Sequence, residues 1–235
     1  MMPQRPSIGR MSWNDLLFMH WRVDEKILRN VVPADLEIDL FEGEAWLGVI
    51  PFVMTDVRPR FTPSVFASNF PELNVRTYVR YREKAGVWFF SLDAASRLAV
   101  RAARRFFHLP YQFARMAASF DGESIEYRSQ RAGRPGVQLL CRYKPVGPAV
   151  RFRSETLDSW LTERYCLFAA NPVGEVFRGD IYHEPWQLQP AEVEIEANTM
   201  TAPLGLTLPH EMPLLHFAKR LDVLAWPLIH PGAPR

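Results

Sequence analysis

Polar and apolar residues alternate over residues 73–80: Leu73, Val75, Thr77 and Val79 fall on one side, Asn74, Arg76, Tyr78 and Arg80 on the other. That is the period of a strand. Residues 83–86, Glu-Lys-Ala-Gly, supply a turn into the apolar run at 87–92, and the two segments together predict a hairpin. Residues 45–54 are rich in strand formers. Pro51 within them has no N–H to donate and calls for an edge, a bend or a bulge. Strand-like runs continue at 113–120, 124–129 and 137–143, divided by the turn signals Asp121-Gly122 and Gly133-Arg-Pro-Gly136, and resume from Cys166.

Helical spacing is confined to three segments. Asp24 caps residues 25–32, where Ile27, Leu28 and Val31 share a face and Pro33 ends the run. Residues 94–107 carry Arg97, Arg101, Arg104 and Arg105 on one face, with Leu98, Ala102 and Phe106 on another. Residues 154–165 open on Ser and Thr and turn Leu157, Trp160 and Leu161 inward. Residues 58–69 hold two prolines and no period, and read as a loop over a cavity mouth. Many short strands with two or three helices predict an α+β fold: mainly antiparallel curved β-sheets forming a barrel- or cone-like shell around a central cavity. We expect residues 1–12 to form a flexible N-terminal segment, 13–229 a single domain and 230–235 a C-terminal tail.

A chain of 235 residues, 48% of them apolar, can bury one substantial core. A net charge of +2 gives no long-range field that would imply a nucleic-acid partner. The basic face of residues 94–107 is either a solvated helix surface or an anion- or partner-binding stripe. No stretch approaches the ~20 apolar residues of a membrane span and the N-terminus holds no signal-peptide core, so cytoplasmic residence is the default expectation. A homo-oligomer stays open. Cys141 and Cys166 lack CxxC spacing and are expected to be reduced, packed thiols. The six histidines show no ligand spacing, so neither metal nor cofactor is expected. Only Lys26, Lys84, Lys144 and Lys219 among the 28 basic residues are lysines, which limits any amine chemistry.

The stretch Arg104-Arg-Phe-Phe-His-Leu-Pro-Tyr-Gln-Phe-Ala-Arg-Met116 resembles the active-site segment of acetoacetate decarboxylase-like proteins. In that family a Pro-Lys-Lys supplies the lysine that forms a Schiff base with a β-keto acid. Here Pro110 is followed by Tyr111 and Gln112. Residues 20–39, 70–79, 179–186 and 214–226 resemble further family segments, so the likeness runs from Trp13 to Trp226. Within the superfamily the chain resembles a bacterial branch, the YqjF-like proteins, whose function is not established. The resemblance implies curved sheets around a closed apolar pocket. It argues against decarboxylation by the family's mechanism, because neither Tyr111 nor Gln112 can form an imine.

The resemblance also places Glu72 where the family has a glutamate near the reacting carbon. In an apolar pocket such a carboxyl would have a raised pKa and could shuttle a proton. Tyr111 can donate to a carbonyl or enolate, act as a general acid, or simply pack. Arg76 can pair with Glu72 or with a substrate carboxylate. Asn74, Gln112, Arg115 and Asn198 are candidates for the pocket wall. The family's N-terminal arginine corresponds to Asn14 and its second glutamate to Gly48, which points to a different ligand. Of His183 and Glu184 only one can face a cavity, and a structural role is preferred for the pair. Lys219 and Lys144 are the candidates for a relocated amine. The functions left open are a pocket protein for a small carbonyl or carboxylate compound, a lysine-independent lyase, hydrolase or isomerase using Glu72 and Tyr111, and a partner-binding protein using the face from Arg97 to Arg105. Enzyme status stays open.

Overall fold

The alternation read at residues 73–80 belongs to β4 (Ser68–Tyr81), an internal strand between β3 (Ala45–Pro59) and β5 (Lys84–Ala94). The computed structural model describes residues 2–233. β1 (Gly9–Val23), α1 (Glu25–Arg29) and the short β2 (Glu37–Ile38) precede β3. After β5 come α2 (Arg97–Phe107), β6 (Tyr111–Phe120), β7 (Ile125–Arg131), β8 (Gln138–Pro145) and α3 (Leu157–Thr162). β9 (Cys166–Ala170), β10 (Val176–His183), β11 (Ala191–Asn198) and β12 (Leu214–Ala225) complete the chain.

The twelve strands of the described residues share one sheet, ordered β11-β8-β7-β6-β5-β9-β10-β12-β1-β3-β4-β2. A further pairing of β5 with β4 joins two arms of that order, so that β5, β9, β10, β12, β1, β3 and β4 follow one another in a ring. The sheet is mixed: β5 pairs parallel with both β6 and β9, and the other pairings are antiparallel. Leu16, Phe18, Ile50 and Phe52 belong to the core inside the ring, whereas Leu17, Met19, Val49, Leu73 and Val75 pack outward against Tyr127, Leu139 and Tyr143 of the β6–β8 meander. β1, β3 and β4 are therefore buried on both faces. The unbroken run Leu16-Leu-Phe-Met19 follows from this, since a two-sided strand has no polar face to alternate with.

Pro51 sits on an internal strand and not at an edge. The β1–β3 register passes from Asn14↔Val53 to Met19↔Val49, one residue longer on β1, with Asp15 in the left-handed region at φ 50. Pro51 lies opposite that bulge, where the ladder toward β1 is interrupted and its missing N–H is tolerated.

The hairpin turn between β4 and β5 falls earlier than the Gly86 signal suggested. Tyr81 pairs with Lys84, so the turn is Arg82-Glu83, with Arg82 at φ 51. Gly86 is needed inside β5 instead: a Cβ there would lie 2.8 Å from Cys166 Sγ and 2.9 Å from the Cys166 carbonyl oxygen, across the contact with β9. The helices are shorter than their periodicity suggested, five residues for α1 and six for α3. In α2 the inward face is Ala99, Val100, Ala103 and Phe107, while Leu98 and Phe106 are exposed. Residues 58–69 are only partly loop, because β3 runs to Pro59 and β4 begins at Ser68. Cys141 and Cys166 are both buried, and the Cys166 thiol donates to the Ala85 carbonyl oxygen at 3.2 Å. Among the described residues no helix is long and apolar enough to cross a membrane.

Candidate functional site

The ring encloses a cavity of about 270 Å³. Its wall is mostly apolar, including Trp13, Phe18, Phe52, Phe89 and Trp186, and α2 closes one side through Ala99, Ala102, Ala103 and Phe107. Ser96 starts that helix by accepting from the Ala99 N–H, and His108 ends it in the left-handed region at φ 49. The crossover through α2 explains why residues far apart in sequence meet. Glu72 of β4 pairs with Ala94 of β5, and β6 returns parallel to β5 with Tyr111 beside Leu92 and Phe113 beside Ala94. Tyr111 is thereby delivered to the wall next to Glu72, and its hydroxyl donates to Glu72 Oε2 at 3.0 Å.

Both partners are buried. Loss of solvation pushes the Glu72 carboxyl up from 4.5 to about 8; the Tyr111 hydrogen bond opposes that rise and the nearby Asp93 charge adds to it. At neutral pH Glu72 is therefore mostly a neutral acid. Burial and the neighbouring Glu72 push the Tyr111 phenol well above its ordinary value. Two supports fix the pair from outside the ring. The Tyr127 hydroxyl donates to the Glu72 carbonyl oxygen at 2.6 Å. Arg131 of β7 grips Asp93 of β5 with Nε at 3.0 Å and Nη2 at 2.7 Å, a buried, two-pronged ion pair.

Asn74 and Arg76 continue along β4 and line the same cavity. Arg76 makes no ion pair with Glu72; its Nη2 donates to the Leu161 carbonyl oxygen at 3.1 Å and lies 3.4 Å from the Tyr78 hydroxyl. His183 also lines the cavity, with Nδ1 2.8 Å from the Glu184 carbonyl oxygen and its ring stacked on Tyr165 at 4.6 Å. Burial lowers its pKa, so it is a neutral, backbone-anchored ring at pH 7. Glu184 is exposed, as strand alternation requires.

Other predicted residues fall elsewhere. Asn14 Nδ2 donates to the carbonyl oxygens of Ser12 and Val53 and to Thr55 Oγ1, holding the β1 bulge and not the cavity wall. Gln112, Arg115 and Asn198 are not among the lining residues: alternation along β6 turns Gln112 away from the face that Tyr111 uses, Arg115 further along the strand is exposed, and Asn198 lies on β11 beside Leu139 of β8. Gly48 is packed against the His20 ring, 3.1 Å from where a Cβ would stand. Lys219 is exposed and bonds Asp15 at 2.6 Å, and Lys144 bonds Glu123 at 2.5 Å; no lysine lines the cavity. On α2, Arg97 lies over the Phe113 ring at 4.0 Å and Arg104 donates to the Tyr111 carbonyl oxygen at 2.5 Å, so part of the basic face is spent on internal contacts. Among the described residues no cluster of His, Cys, Asp or Glu has the makings of a metal site.

Sequence reasoning missed Trp13, Arg164, Asp93 and Arg131. Arg164 follows α3 and reaches the cavity only through the tertiary fold; Asp93 and Arg131 are 38 residues apart and carry no local signal of pairing.

Comparison with known proteins agrees with this architecture. The solved structure of the enduracididine biosynthesis enzyme MppR complexed with pyruvate matches with a TM-score of 0.66 at 11% identity, over 94% of this chain and 89% of that one. Acetoacetate decarboxylase from Legionella pneumophila matches with a TM-score of 0.61 at 12% identity, over 97% and 90%. An acetoacetate decarboxylase-like enzyme from Sphingomonas wittichii matches with a TM-score of 0.62 at 11% identity, over 96% and 94%. These likenesses establish the acetoacetate decarboxylase-like fold and nothing finer. The uncharacterized protein YqjF of Bacillus subtilis is 48% identical over 222 residues, 94% of this chain and 91% of that protein. Residues 10–222 match the model of DUF2071, an uncharacterized conserved protein family, and the chain belongs to that family.

Proposed function

We propose that this protein binds a small, largely apolar carbonyl or carboxylate compound inside the ring, without forming an imine with it. The observation that carries the reading is the Glu72–Tyr111 pair, a neutral carboxyl held by a phenol in an apolar cavity that no lysine lines. With Oε2 accepting from Tyr111, the protonated carboxyl can donate to a ligand carbonyl oxygen, a hydrogen bond strengthened by the dry surroundings. MppR, which shares the fold, has been solved with pyruvate, and a small oxo compound is in keeping with that.

A second reading rests on the same pair. A carboxyl titrating near 8 can hold and release a proton at neutral pH, the property of a general acid–base group. Enolisation of a bound ketone is the reaction this supports: Glu72 takes the α-proton when ionised and returns it to carbon.

Native mass spectrometry of the purified protein, with and without β-keto acids and borohydride, tests the first reading. The expected result is a non-covalent small molecule and no reduced adduct. A borohydride-trapped adduct on Lys219 or Lys144 would overturn it. Deuterium exchange at the α-carbon of a bound ketone, lost in Glu72→Gln, separates catalysis from binding.

A further inference from the structure

Arg76 is a guanidinium with 8% exposure and, among the described residues, no carboxylate within ion-pair distance. Its Nε is buried without a partner. A buried cation in this condition is costly unless something anionic completes it. A second guanidinium stands at the same end of the cavity. Arg164, 6% exposed, uses Nη1 on Asp39 at 2.6 Å and Nε on the Trp160 carbonyl oxygen at 2.7 Å, which leaves Nη2 buried and unpartnered. Both guanidiniums lie against one ring, Tyr78, with Cζ 5.6 Å (Arg76) and 4.9 Å (Arg164) from its centroid. The local charges do not cancel. Asp39 is already shared between Arg164 and Arg80, Asp180 is paired with Arg178 and Arg5, and His183 and Glu72 are neutral at pH 7. Among these buried groups alone, three guanidiniums (Arg76, Arg164 and Arg178) face two carboxylates (Asp39 and Asp180), an excess of one positive charge, while Arg80 and Arg5 are open to solvent.

The spacing limits what can satisfy it. Residues 72 and 76 are four apart on β4, about 13 Å along a strand, and Asn74 lies on the wall between them. Arg76 leans toward Tyr78, away from Glu72, and Glu72 leans toward Tyr111. A short keto acid, with its two polar groups a few bonds apart, cannot engage both ends.

Building on the proposed pocket, we infer that Arg76 and Arg164 form a clamp for one carboxylate, and that the ligand is an elongated monocarboxylate whose apolar chain runs along the Asn74 wall toward Glu72 and Tyr111. A monoanion neutralises the residual charge. The mostly apolar wall suits the chain, and the two unpartnered guanidinium nitrogens, Arg76 Nε and Arg164 Nη2, are donors for the head.

Octanoate, butyrate, octanamide and 2-octanone are the probes, with binding read from the fluorescence of Trp13 and Trp186 on the cavity wall. The full-length protein should bind octanoate more tightly than butyrate and about ten-fold or more above octanamide, as expected for a charge-assisted contact. Arg76→Gln should weaken octanoate by about 10- to 100-fold and 2-octanone by far less, so that octanoate loses its advantage over the neutral probe; retained 2-octanone binding also shows that the variant folded. Arg164→Lys, which keeps a cation beside Asp39, should weaken octanoate too. Equal affinity for octanoate and octanamide, or an unaltered octanoate affinity in Arg76→Gln, overturns the clamp. If 2-octanone binds and no carboxylate does, the clamp fails while the pocket reading survives; if nothing binds, both fail.

Discussion

Replacing Glu72 with glutamine keeps the size and neutrality of the protonated acid and leaves an oxygen to accept from Tyr111, so it removes one thing only, the ability to ionise. The consequence is worked from the carboxyl's rise from 4.5 to about 8. Below pH 4.5 the group is protonated in both the folded and the unfolded chain, and wild type and Glu72→Gln have similar stability. Between 4.5 and 8 the unfolded chain has released its proton while the folded chain retains it, so wild type loses about 1.4 kcal/mol per pH unit relative to the variant. At pH 7 the deficit is about 3 kcal/mol, and above pH 8 it levels off at about 5 kcal/mol, a large fraction of the ~5–15 kcal/mol that holds a domain folded. Urea denaturation of both proteins at each pH unit from 4 to 9 measures this directly, because other titrating groups cancel in the difference. A difference that is flat with pH, or one that grows in favour of wild type as pH rises, would refute the argument that Glu72 is buried as a neutral acid.

Tyr111→Phe removes the hydroxyl that holds Glu72; it should cost about 1 kcal/mol at pH 5 and extend the pH-dependent loss to higher pH while its onset stays at 4.5, both read from the same titration. Arg131→Met strands Asp93 without its two-pronged partner and should destabilise the fold by about 3–5 kcal/mol at pH 7, seen in the urea midpoint, whereas an unchanged midpoint would mean that the pair contributes little. Gly86→Ala drives a methyl group toward the Cys166 backbone and should cost about 1–3 kcal/mol by loosening β5 from β9; wild-type stability in that variant would show that the strands can separate freely there.

Hydrophobic period and turn chemistry are local properties, and they determined much of this protein without help from its tertiary structure. The alternation at 73–80 gave a strand of the right phase, Asp121-Gly122 marked the β6–β7 connection, and Pro51 required an irregularity that proved to be a bulge. The absence of lysine after Pro110 was equally legible, since it is a matter of residue identity. Element ends were less so: residues 25–32 and 154–165 keep helical spacing beyond the turns that tertiary contacts stabilise, because a short helix gains most of its stability from packing. The site lay further out of reach. Glu72 meets Tyr111 only because β6 returns parallel to β5 after α2, a crossover that no period encodes. Alternation could have warned that Gln112 would turn away from Tyr111's face, but it could not say which face lines the cavity. The partner choices of Arg76 depended on more than sequence: its guanidinium reaches Leu161 and Tyr78, and not Glu72, because α3 packs across the end of the ring. Long-range pairing, burial and the resulting pKa values are properties of chain segments brought together by closing the sheet. The residues supply the groups, and the closed sheet decides which of them share water, charge and one another.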